Sequence, residues 1–335
     1  MEGRDRMRVL VTGGAGFIGS VVVAQLLEAG HAVVVYDDLS KGSKRAVPGK
    51  AELIVGNVGD RPCLNGVFQK HKIDAVMHFA AFIEAGESMK LPGRYFRNNS
   101  ANALALLEEM VEHRVSRFVF SSTAALYGNP KRPLILETDP LQPTNPYGES
   151  KLLVERMLHW FHRIHGLSYA SLRYFNAAGA TGELGEVHTP ETHLIPIVLQ
   201  VAGGRRDRVS IFGTDYETLD GTCVRDYIHV SDLASAHRLA LDALTDDGSP
   251  KQLIYNLGNG RGFSVRQVIE VARKITGHPI PAIEAERRPG DPAILVASSE
   301  KIRHELGWKP QYPELDAMVS SAWDWFQRHP NGYEE

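Results

Sequence analysis

The chain has 335 residues, of which 43% are hydrophobic and 23% are charged, and its formal net charge is -3. This length predicts one large domain or two, and the composition is typical of a globular protein with a sizeable core. A slightly acidic chain has no electrostatic basis for binding nucleic acid or another polyanion, so we exclude those partners from our expectations.

Cysteine usage and the apolar runs indicate the cellular compartment. Only Cys63 and Cys223 occur, which is too few for a disulfide framework and favours a reducing environment. The charged N-terminus leads into an apolar run that is too short for a signal core, and no run approaches the length of a membrane span. We therefore expect a cytoplasmic protein that has no membrane partner.

Short apolar runs alternate with helical patterns through the first half of the chain. The runs are rich in Val, Ile and Phe, as buried strands are, and they cover 9–14, 31–38, 51–57, 74–81, 117–125 and 169–179. Helix-like stretches such as 19–30 and 101–114 lie between them. This alternation predicts an α/β fold with a doubly wound parallel (Rossmann) sheet. The carboxyl ends of its strands would share one edge, where ligands bind.

The segment TGGAGFIGS follows the first predicted strand and opens the first predicted helix. It carries Gly13, Gly14, Gly16 and Gly19, and Asp37 ends the second strand 18 residues beyond Gly19. Such glycines let the backbone approach a pyrophosphate at the positive end of the helix. Because Asp37 would accept hydrogen bonds from ribose hydroxyls and repel a 2′-phosphate, the pattern predicts NAD rather than NADP. A glycine-rich turn without a ligand is the less favoured interpretation.

A tyrosine and a lysine lie four residues apart in NPYGESKLLVE, where two prolines predict the start of a helix. One helical turn puts Tyr147 and Lys151 on the same face. A phenol has a pKa of about 10, so a base working near neutrality needs a fall of roughly three units, or about 4 kcal/mol. A cation about 5 Å away contributes roughly 3 kcal/mol at an effective dielectric of 20, so Lys151 and an oxidised nicotinamide together could supply the shift. Thr123, at a strand end, could donate a hydrogen bond. Each residue alone is more simply a surface or packing residue, but together they predict a catalytic group.

Several segments of the chain resemble one family. They are HFAAFIEAGES, SSTAALYG, NPYGESKLLVE, LRYFNAAGA, HLIP, DGTCVRDYIHVSDLASAH, YNLGNGRGFSV and RRPGDPA. In this order and spacing they resemble the signature blocks of UDP-glucose 4-epimerases (UDP-galactose 4-epimerases), within the extended short-chain dehydrogenase/reductase superfamily. The resemblance covers most of the chain, from residue 9 to about residue 310.

The resemblance implies reversible epimerisation at carbon 4 of UDP-glucose and UDP-galactose. Tyr147 would take the proton of the 4-hydroxyl while carbon 4 gives a hydride to tightly bound NAD, and the hydride would return to the other face of a 4-keto sugar. The cofactor positions carried over are Gly13, Gly16, Phe17, Ile18, Gly19, Asp37, Asn57, Val58, Phe79, Ala80, Ala81, Asn98, Tyr147, Lys151 and Phe175. The UDP-sugar positions are Thr123, Asn176, His193, Leu194, Phe212, Arg225, Arg288, Asp291 and Leu295, with the two arginines on the diphosphate.

Four positions depart from the best-known pattern of that family. Asn57 stands where an Asp often binds adenine, Ile83 stands where some members carry a Lys, and His193 replaces an Asn. Leu295 is intermediate in size between residues that restrict the sugar pocket and residues that admit N-acetyl sugars. The preferred sugar therefore stays open, with N-acetylhexosamine and pentose epimerases as alternatives.

Other functions of the same superfamily are less favoured. The 4,6-dehydratases place an Asp-Glu pair directly after the Thr, whereas Thr123 is followed by Ala124 and Ala125, so that acid–base pair is missing. A non-catalytic NAD-binding regulator is a second alternative. Such proteins tend to lose the Tyr or the Lys, and this chain keeps both.

Three histidines in HWFHRIH raise the question of a metal. His159, His162 and His165 recur near one face of a predicted helix, which is a spacing that could bind a metal ion. No carboxylate or cysteine joins them locally, so solvent-facing histidines are the favoured interpretation and we expect no metal.

The polar, loop-like character of the chain after about residue 180 indicates a second domain. We predict an NAD-binding Rossmann domain over 1–175, with returning segments near 222–260. A smaller mixed α/β domain over 176–335 would be mainly the UDP-sugar-binding domain. The resemblance also implies a homodimer that pairs through helices of the nucleotide domain.

Overall fold

The structure is a computed structural model that describes residues 6–244, 249–288 and 291–333. The chain divides into two compact units. The first contains the described residues up to Leu126, together with Pro143–Arg173 and Ala234–Tyr255. The second contains Tyr127–Gln142, Tyr174–Leu233 and the described residues from Asn256 onward.

Fourteen strands occur in the described part of the chain. In chain order they are β1 Arg8–Thr12, β2 Ala32–Asp37, β3 Glu52–Val55, β4 Ala75–His78, β5 Arg117–Thr123, β6 Leu134–Ile135, β7 Ser168–Tyr174, β8 Asn176–Ala178, β9 Val209–Phe212, β10 Val224–His229, β11 Gln252–Leu257, β12 Gly262–Ser264, β13 Ala282–Ala285 and β14 Ile294–Ala297.

The α-helices differ widely in length, from one turn to more than five. They are α1 Phe17–Glu28, α2 Arg61–Lys70, α3 Ala85–Ser88, α4 Pro92–Tyr95, α5 Asn102–Glu112, α6 Pro146–His165, α7 Leu194–Ala202, α8 Val230–Ala243, α9 Val265–Thr276, α10 Glu300–Leu306 and α11 Leu315–Arg328. Short 3₁₀ turns cover Lys44–Ala46 and Ala124–Tyr127, and a π-helical turn covers Phe96–Ala101. None of the described helices is both long and apolar enough to cross a bilayer.

A seven-stranded sheet with the order β11-β7-β5-β4-β1-β2-β3 forms the frame of the first unit. β1 pairs in parallel with β2 on one side and with β4 on the other. Successive crossovers therefore run in opposite directions from β1, which confirms the predicted doubly wound sheet. In such a sheet ligands bind beyond the carboxyl ends of the strands where this reversal occurs, which here are the ends of β1 and β4.

Apolar side chains from the sheet and the helices form the core of the first unit. Its fully buried members include Leu10, Val76, Phe118 and Phe120 from strands and Val154 and Leu158 from α6. Burying each such side chain contributes roughly 1.5–3 kcal/mol before the loss of conformational entropy is counted. This packing fixes the strand ends, and therefore the loops that follow them, on a rigid frame.

Two smaller sheets belong mainly to the second unit. One has the order β12-β10-β14-β6, with β8 also paired to β10, and the other joins β13 to β9. Helices α7, α9 and α11 share a buried apolar cluster that includes Val198, Ile269 and Met318. The capping box of Ser264 and Gln267 fixes the start of α9, because each side chain bonds the other residue's backbone N–H.

The prediction of a single strand over 169–179 is wrong in one respect. β7 ends at Tyr174, Phe175 donates its N–H to the carbonyl of Leu257 at 3.3 Å, and β8 pairs with β10 in a different sheet. Apolar and small residues continue through the change of sheet, so the pattern did not reveal the break. Residues 127–142, which lie inside the predicted range 1–175, belong to the second unit because β6 pairs with β14.

Candidate active site

The glycine loop joins the end of β1 to the start of α1. Gly13 has a φ of +73°, and a Cβ there would meet the carbonyl carbon of Phe79 at 2.7 Å. A Cβ at Gly19 would meet the Cα of Gly14 at 2.9 Å. These two glycines are therefore required by close backbone packing at the end of β4 and within the loop.

Gly16, by contrast, faces open space at the N-terminus of α1. Among the described residues, a Cβ there would have one neighbour within 4 Å, the carbonyl of Gly13 at 3.4 Å. Gly16 is the N-cap of α1, and among the described residues no side chain caps this helix and no acid lies in its first turn. The first amide groups of α1 therefore point to a space that suits an anion, as a dinucleotide pyrophosphate requires.

Asp37 lies at the end of β2, beside this loop, and is 8% exposed. Its carboxylate accepts the N–H groups of Ala15 and Leu39, both at 2.9 Å. Burial raises the pKa of Asp37, and the two hydrogen bonds oppose that rise. The acid is thus held in one orientation by the backbone of the glycine loop, in the position expected for a ribose partner.

Asn57 and Val58 lie just beyond β3. The Asn57 amide donates to the Asp38 carboxylate at 2.8 Å, and its oxygen accepts from the N–H of Gly59 at 2.9 Å. Asn57 is exposed, whereas Val58 is buried beneath it. The amide is therefore fixed in orientation at the surface, where an adenine ring would need a polar edge.

The segment after β4 carries the next predicted cofactor positions. Phe79 and Ala80 donate their N–H groups to the carbonyl of Thr12, at 2.9 and 3.2 Å, so the segment continues alongside the end of β1. The Phe79 ring contacts His237, with ring centres 4.9 Å apart. Phe17 and Ile18 open α1, Ala81 and Asn98 are partly buried, and Phe175, which belongs to the second unit, is buried.

Asn99, which sequence analysis missed, braces this segment. Its oxygen accepts from the N–H of Phe82 and from the Asn98 amide, at 2.9 and 3.1 Å, and its amide donates to the carbonyl of Phe82 at 2.9 Å and to Ser150 at 3.0 Å. Asn99 lies in the π-helical turn, a helix form that is frequent at functional sites. It connects the segment after β4 to the first turns of α6, which carry Tyr147 and Lys151.

The first turn of α6 is positioned by its own capping residues. Asn145 is the N-cap, its side-chain oxygen accepts from the N–H of Gly148 at 2.9 Å, and Pro146 occupies the first turn. A Cβ on Gly148 would meet the carbonyl of Ala125 at 2.7 Å, so the glycine permits close approach of α6 to the chain after β5. This approach places Tyr147 beside Thr123, close enough for Thr123 to lower the pKa of the phenol.

The structure therefore joins two of the three predicted catalytic residues directly. Thr123 ends β5, is 8% exposed, and also accepts from the N–H of Ala125 at 3.2 Å. Tyr147 is partly buried beside it. The phenol and the hydroxyl lie at the carboxyl edge of the sheet, which is the edge predicted to hold the ligand.

Lys151 lies one helical turn further along and is 2% exposed. Its Nζ donates to the carbonyl of Ser121 at 2.8 Å and lies 4.9 Å from the centre of the Phe120 ring. Burial lowers the pKa of Lys151 to about 7. Burial and the positive charge of Lys151 together lower the pKa of His78 to about 3, so that histidine is neutral.

The residues around Tyr147 raise the pKa of its phenol. Burial raises it, the hydrogen bond from Thr123 lowers it, and the negative charge of Glu84 raises it further. The net direction is upward, so the protein alone does not produce the lowered pKa that we expected from Lys151 and an oxidised nicotinamide together. A bound positive charge beside the phenol must supply the remaining stabilisation of the phenolate.

A buried ion pair fixes the middle of α6 against the sheet. Arg173 donates to both oxygens of Glu155, at 3.0 and 2.6 Å, and Ser122 donates to the same carboxylate at 2.6 Å. All three residues are less than 9% exposed. Sequence analysis missed this network because its members are distant in the chain and carry no local pattern.

Four of the predicted UDP-sugar positions form two pairs in the second unit. Arg225 donates to Asp291 at 2.7 Å, and the Arg288 guanidinium lies over the Phe212 ring at 4.0 Å. Leu295 is the register partner of Arg225 on the neighbouring strand. The two guanidinium groups are therefore held in fixed positions, one by a carboxylate and one by an aromatic face.

Three further predicted substrate positions, Asn176, His193 and Leu194, lie in the second unit. The Asn176 amide donates to the carbonyl of Asp226 at 2.8 Å. Leu194 is the first residue of α7, and His193 is its N-cap. Burial acts to lower the pKa of His193, but the carboxylates of Glu186 and Glu191 outweigh burial and raise it. The carboxylate contacts of His193 were not predicted.

The chain is similar in sequence and in fold to proteins of known family. The family model described as "NAD dependent epimerase/dehydratase family" matches residues 9–258. The UDP-glucose 4-epimerase of Halalkalibacterium halodurans is 56% identical over 329 residues, which is 98% of either chain. A crystal structure of a UDP-glucose 4-epimerase is 50% identical with a TM-score of 0.95, covering 98% of this chain and 100% of the other. The Bifidobacterium longum UDP-glucose 4-epimerase in complex with NAD+ and UDP is 40% identical with a TM-score of 0.91, covering 97% and 100%.

Proposed function

The chain belongs to the NAD dependent epimerase/dehydratase family, and from this membership we propose that it interconverts UDP-glucose and UDP-galactose by inverting carbon 4 of the sugar. The observation that carries the proposal is the placement of Tyr147 beside Thr123 at the carboxyl edge of the sheet, with Lys151 buried one helical turn further along. Such an arrangement suits a base that removes a hydroxyl proton from a ligand bound at that edge.

The residues around the glycine loop fit NAD. The open face at Gly16 and the uncapped start of α1 suit the pyrophosphate, and the fixed carboxylate of Asp37 suits the ribose hydroxyls. Bound in its oxidised form, NAD supplies a hydride acceptor and a positively charged ring. Asn57, Phe79 and the other carried-over positions are proposed to complete the cofactor site.

Tyr147 acts as the base in this proposal. Its oxygen takes the proton of the sugar 4-hydroxyl and later returns it, while Thr123 holds the phenol in place by a hydrogen bond. Lys151 donates a hydrogen bond to the carbonyl of Ser121, which fixes the position of its ammonium group. The positive charge of this group stabilises the phenolate. Glu84 opposes ionisation, because a nearby negative charge raises the pKa of the phenol.

Arg225 and Arg288 are proposed to bind the diphosphate of the nucleotide. A guanidinium group matches phosphate oxygens in a two-pronged geometry, and both groups are already oriented, by Asp291 and Phe212 respectively. An oriented side chain loses less conformational entropy on binding. The remaining proposed UDP-sugar contacts are Thr123, Asn176, His193, Leu194 and Leu295.

The assay that tests the proposal uses the purified chain, UDP-galactose and no added NAD. We expect a mixture of UDP-glucose and UDP-galactose, since the same residues serve both directions. A keto-deoxy sugar as product would indicate a dehydratase, and no conversion would indicate a non-catalytic regulator. Either of these results overturns the proposal.

The choice of sugar is a separate question that depends on Leu295. Leu295 is partly buried beside Arg225, and its intermediate size does not decide between the sugars, so the UDP-glucose 4-epimerases that this chain resembles are what supports hexoses as the main substrates. A panel of UDP-hexoses, UDP-N-acetylhexosamines and UDP-pentoses scored by kcat/KM tests this. We expect the hexoses to give the highest value, and a higher value for the N-acetyl forms would reassign the substrate.

We also propose a homodimer that works in the cytoplasm in galactose metabolism. Both cysteines are free thiols, which supports a reducing compartment. Leu104 on α5 and Trp160 and Ile164 on α6 are exposed, at 37%, 56% and 67%, and apolar exposure of this kind supports pairing through these helices. Sedimentation equilibrium should give twice the chain mass, and a chain mass at micromolar concentration would contradict the dimer.

A further inference from the structure

Two histidines and two glutamates lie together in the segment before α7. They follow the spacing Glu186-x-His188-x-x-Glu191-x-His193, and we name them the His–Glu cluster. We propose that the His–Glu cluster binds one divalent transition-metal ion, with Zn2+ as the representative case. The inference concerns a structural ion in the second unit, and one of its four ligands, His193, is also among the proposed UDP-sugar contacts.

The four side chains converge on one point. One ligand atom from each residue lies within 4.8 Å of all the others. The Nδ1 atoms of His188 and His193 lie 2.9 and 2.8 Å from the same Glu186 oxygen, and 3.9 and 3.1 Å from the Glu191 carboxylate. Ligand atoms around a tetrahedral Zn2+ with bonds of about 2.0–2.1 Å are about 3.3 Å apart, which lies inside this range of separations.

The burial of the two carboxylates requires a compensating positive charge, whereas the His193 side chain is 37% exposed. The side chains of Glu186 and Glu191 are 9% and 3% exposed, and that of His188 is 20% exposed. Two buried carboxylates side by side repel each other unless protons on the imidazoles or a metal ion balance them. With neutral imidazoles, one divalent ion balances both carboxylates and places all four donors in its first coordination sphere.

The donor set indicates the kind of ion and its role. Two imidazole nitrogens and two carboxylate oxygens, without thiolate, suit Zn2+, Co2+ and Ni2+. Four protein ligands leave no open position for a reacting water, so the site is structural. Glu191 also accepts the N–H groups of Thr192 and His193, both at 2.7 Å, which fixes its carboxylate in orientation.

A bound ion would cross-link the loop that precedes α7. The cluster spans eight residues of loop and ends at His193, the N-cap of the helix. An ion held by both ends of this loop would fix the loop against α7. Because metal binds the folded chain preferentially, it should raise the unfolding temperature.

The test uses the tag-free full chain, stripped with a chelator and titrated with Zn2+ by calorimetry, with bound metal counted after gel filtration. We expect one Zn2+ per chain and an upward shift of the unfolding temperature. Co2+ should give the visible absorption of a tetrahedral nitrogen–oxygen site without the near-ultraviolet thiolate band that binding to Cys63 or Cys223 would produce.

The paired variant Glu186→Gln/His188→Gln keeps the size of both side chains and should bind Zn2+ at least about 100-fold more weakly. Circular dichroism checks that it folds. The matched control His159→Gln/His165→Gln on α6 should keep wild-type affinity. Less than one bound Zn2+ per wild-type chain, a thiolate band with Co2+, or unchanged affinity in the Glu186→Gln/His188→Gln variant would overturn the proposal.

Discussion

At the scale of single residues, the candidate active site depends on how burial shifts the pKa of the Tyr147 phenol and of the Lys151 amine. Burial raises the pKa of Tyr147 and lowers the pKa of Lys151, so in both cases it disfavours the charged form. The base proposed here needs the opposite state, a phenolate beside an ammonium. The two charged groups stabilise each other when both form, and a bound cationic ring adds to that stabilisation.

Replacing Tyr147 by Phe should remove the proton acceptor while leaving the fold and bound NAD unchanged. We expect kcat to fall by about 100- to 10,000-fold, the usual contribution of general acid–base catalysis. Steady-state kinetics with UDP-galactose measure the fall, and the absorbance of bound cofactor checks the fold. The exposed Tyr312→Phe serves as control, and a Tyr147→Phe enzyme with the control's activity contradicts the assignment.

Replacing Lys151 by Met should change how stability depends on pH. The Lys151 pKa is about 7 in the folded chain, against an ordinary value of 10.5, so between these pH values the unfolded chain binds more protons. Wild-type stability therefore gains a contribution as pH rises through this window. Chemical denaturation at several pH values should show a smaller rise for Lys151→Met, and its activity should require a higher pH. Equal slopes and equal activity profiles would count against the assigned role.

At the level of elements, α6 is the part that brings the site together. Its start is fixed by Asn145 and Gly148, and its middle is tied to the sheet by the ion pair of Glu155 and Arg173. Removing one partner of a buried ion pair leaves the other charge without compensation, at a cost of about 3–5 kcal/mol. The stability of α6 on the sheet therefore controls the position of Tyr147.

Glu155→Gln should accordingly lower the free energy of unfolding by about 3–5 kcal/mol. Denaturant unfolding of the holoenzyme gives the value. Glu149→Gln on the same helix removes one partner of an exposed pair, with 3.9 Å between its oxygen and Arg156, and should change stability by less than about 1 kcal/mol. A Glu155→Gln loss as small as that of the control would show that the buried pair does not anchor α6.

Local sequence patterns predicted the turns, helices and strands of the site better than they predicted which distant segments contact one another. The glycine loop, the start of α6 near Tyr147 and the strands of the large sheet follow from turn chemistry and periodicity, which act over a few residues. The change of sheet at Phe175, the brace by Asn99 and the contacts of Glu155 with Arg173 depend on packing between distant segments. The His–Glu cluster lies between these cases, because its spacing is visible in the sequence but only the structure shows that its side chains converge.

For the whole molecule, the two units carry different parts of the proposed function. The first holds the glycine loop, Asp37 and Tyr147, and the second holds Arg225 and Arg288. Binding of the nucleotide sugar and binding of the cofactor should therefore respond separately to mutation. The sequence predicted two domains for these residues, and their side-chain partners became visible only in the structure.

Arg288→Ala should weaken binding of UDP by about 10- to 100-fold, because a charged hydrogen bond contributes about 1.5–3 kcal/mol. The affinity for NAD should stay within about twofold, since Asp37 and the glycine loop are unchanged. Calorimetric titration with UDP measures the first effect. Arg287→Ala is the matched control, because Arg287 lies over Tyr216 at 4.1 Å and pairs with Asp215 at 2.6 Å. A UDP affinity that falls equally in both variants would remove the specific role of Arg288.

The ionisation of Tyr147 in the NAD-bound enzyme tests the central claim most directly. The ultraviolet difference spectrum between the wild type and Tyr147→Phe, recorded as pH rises, isolates this one phenol. We predict that phenolate absorbance appears at a lower pH in the enzyme that holds NAD+ than in the enzyme that holds NADH, because only the oxidised ring is positively charged. Phenolate absorbance that appears at the same pH with either form of the cofactor would contradict the account, because the positively charged ring would then not stabilise the phenolate.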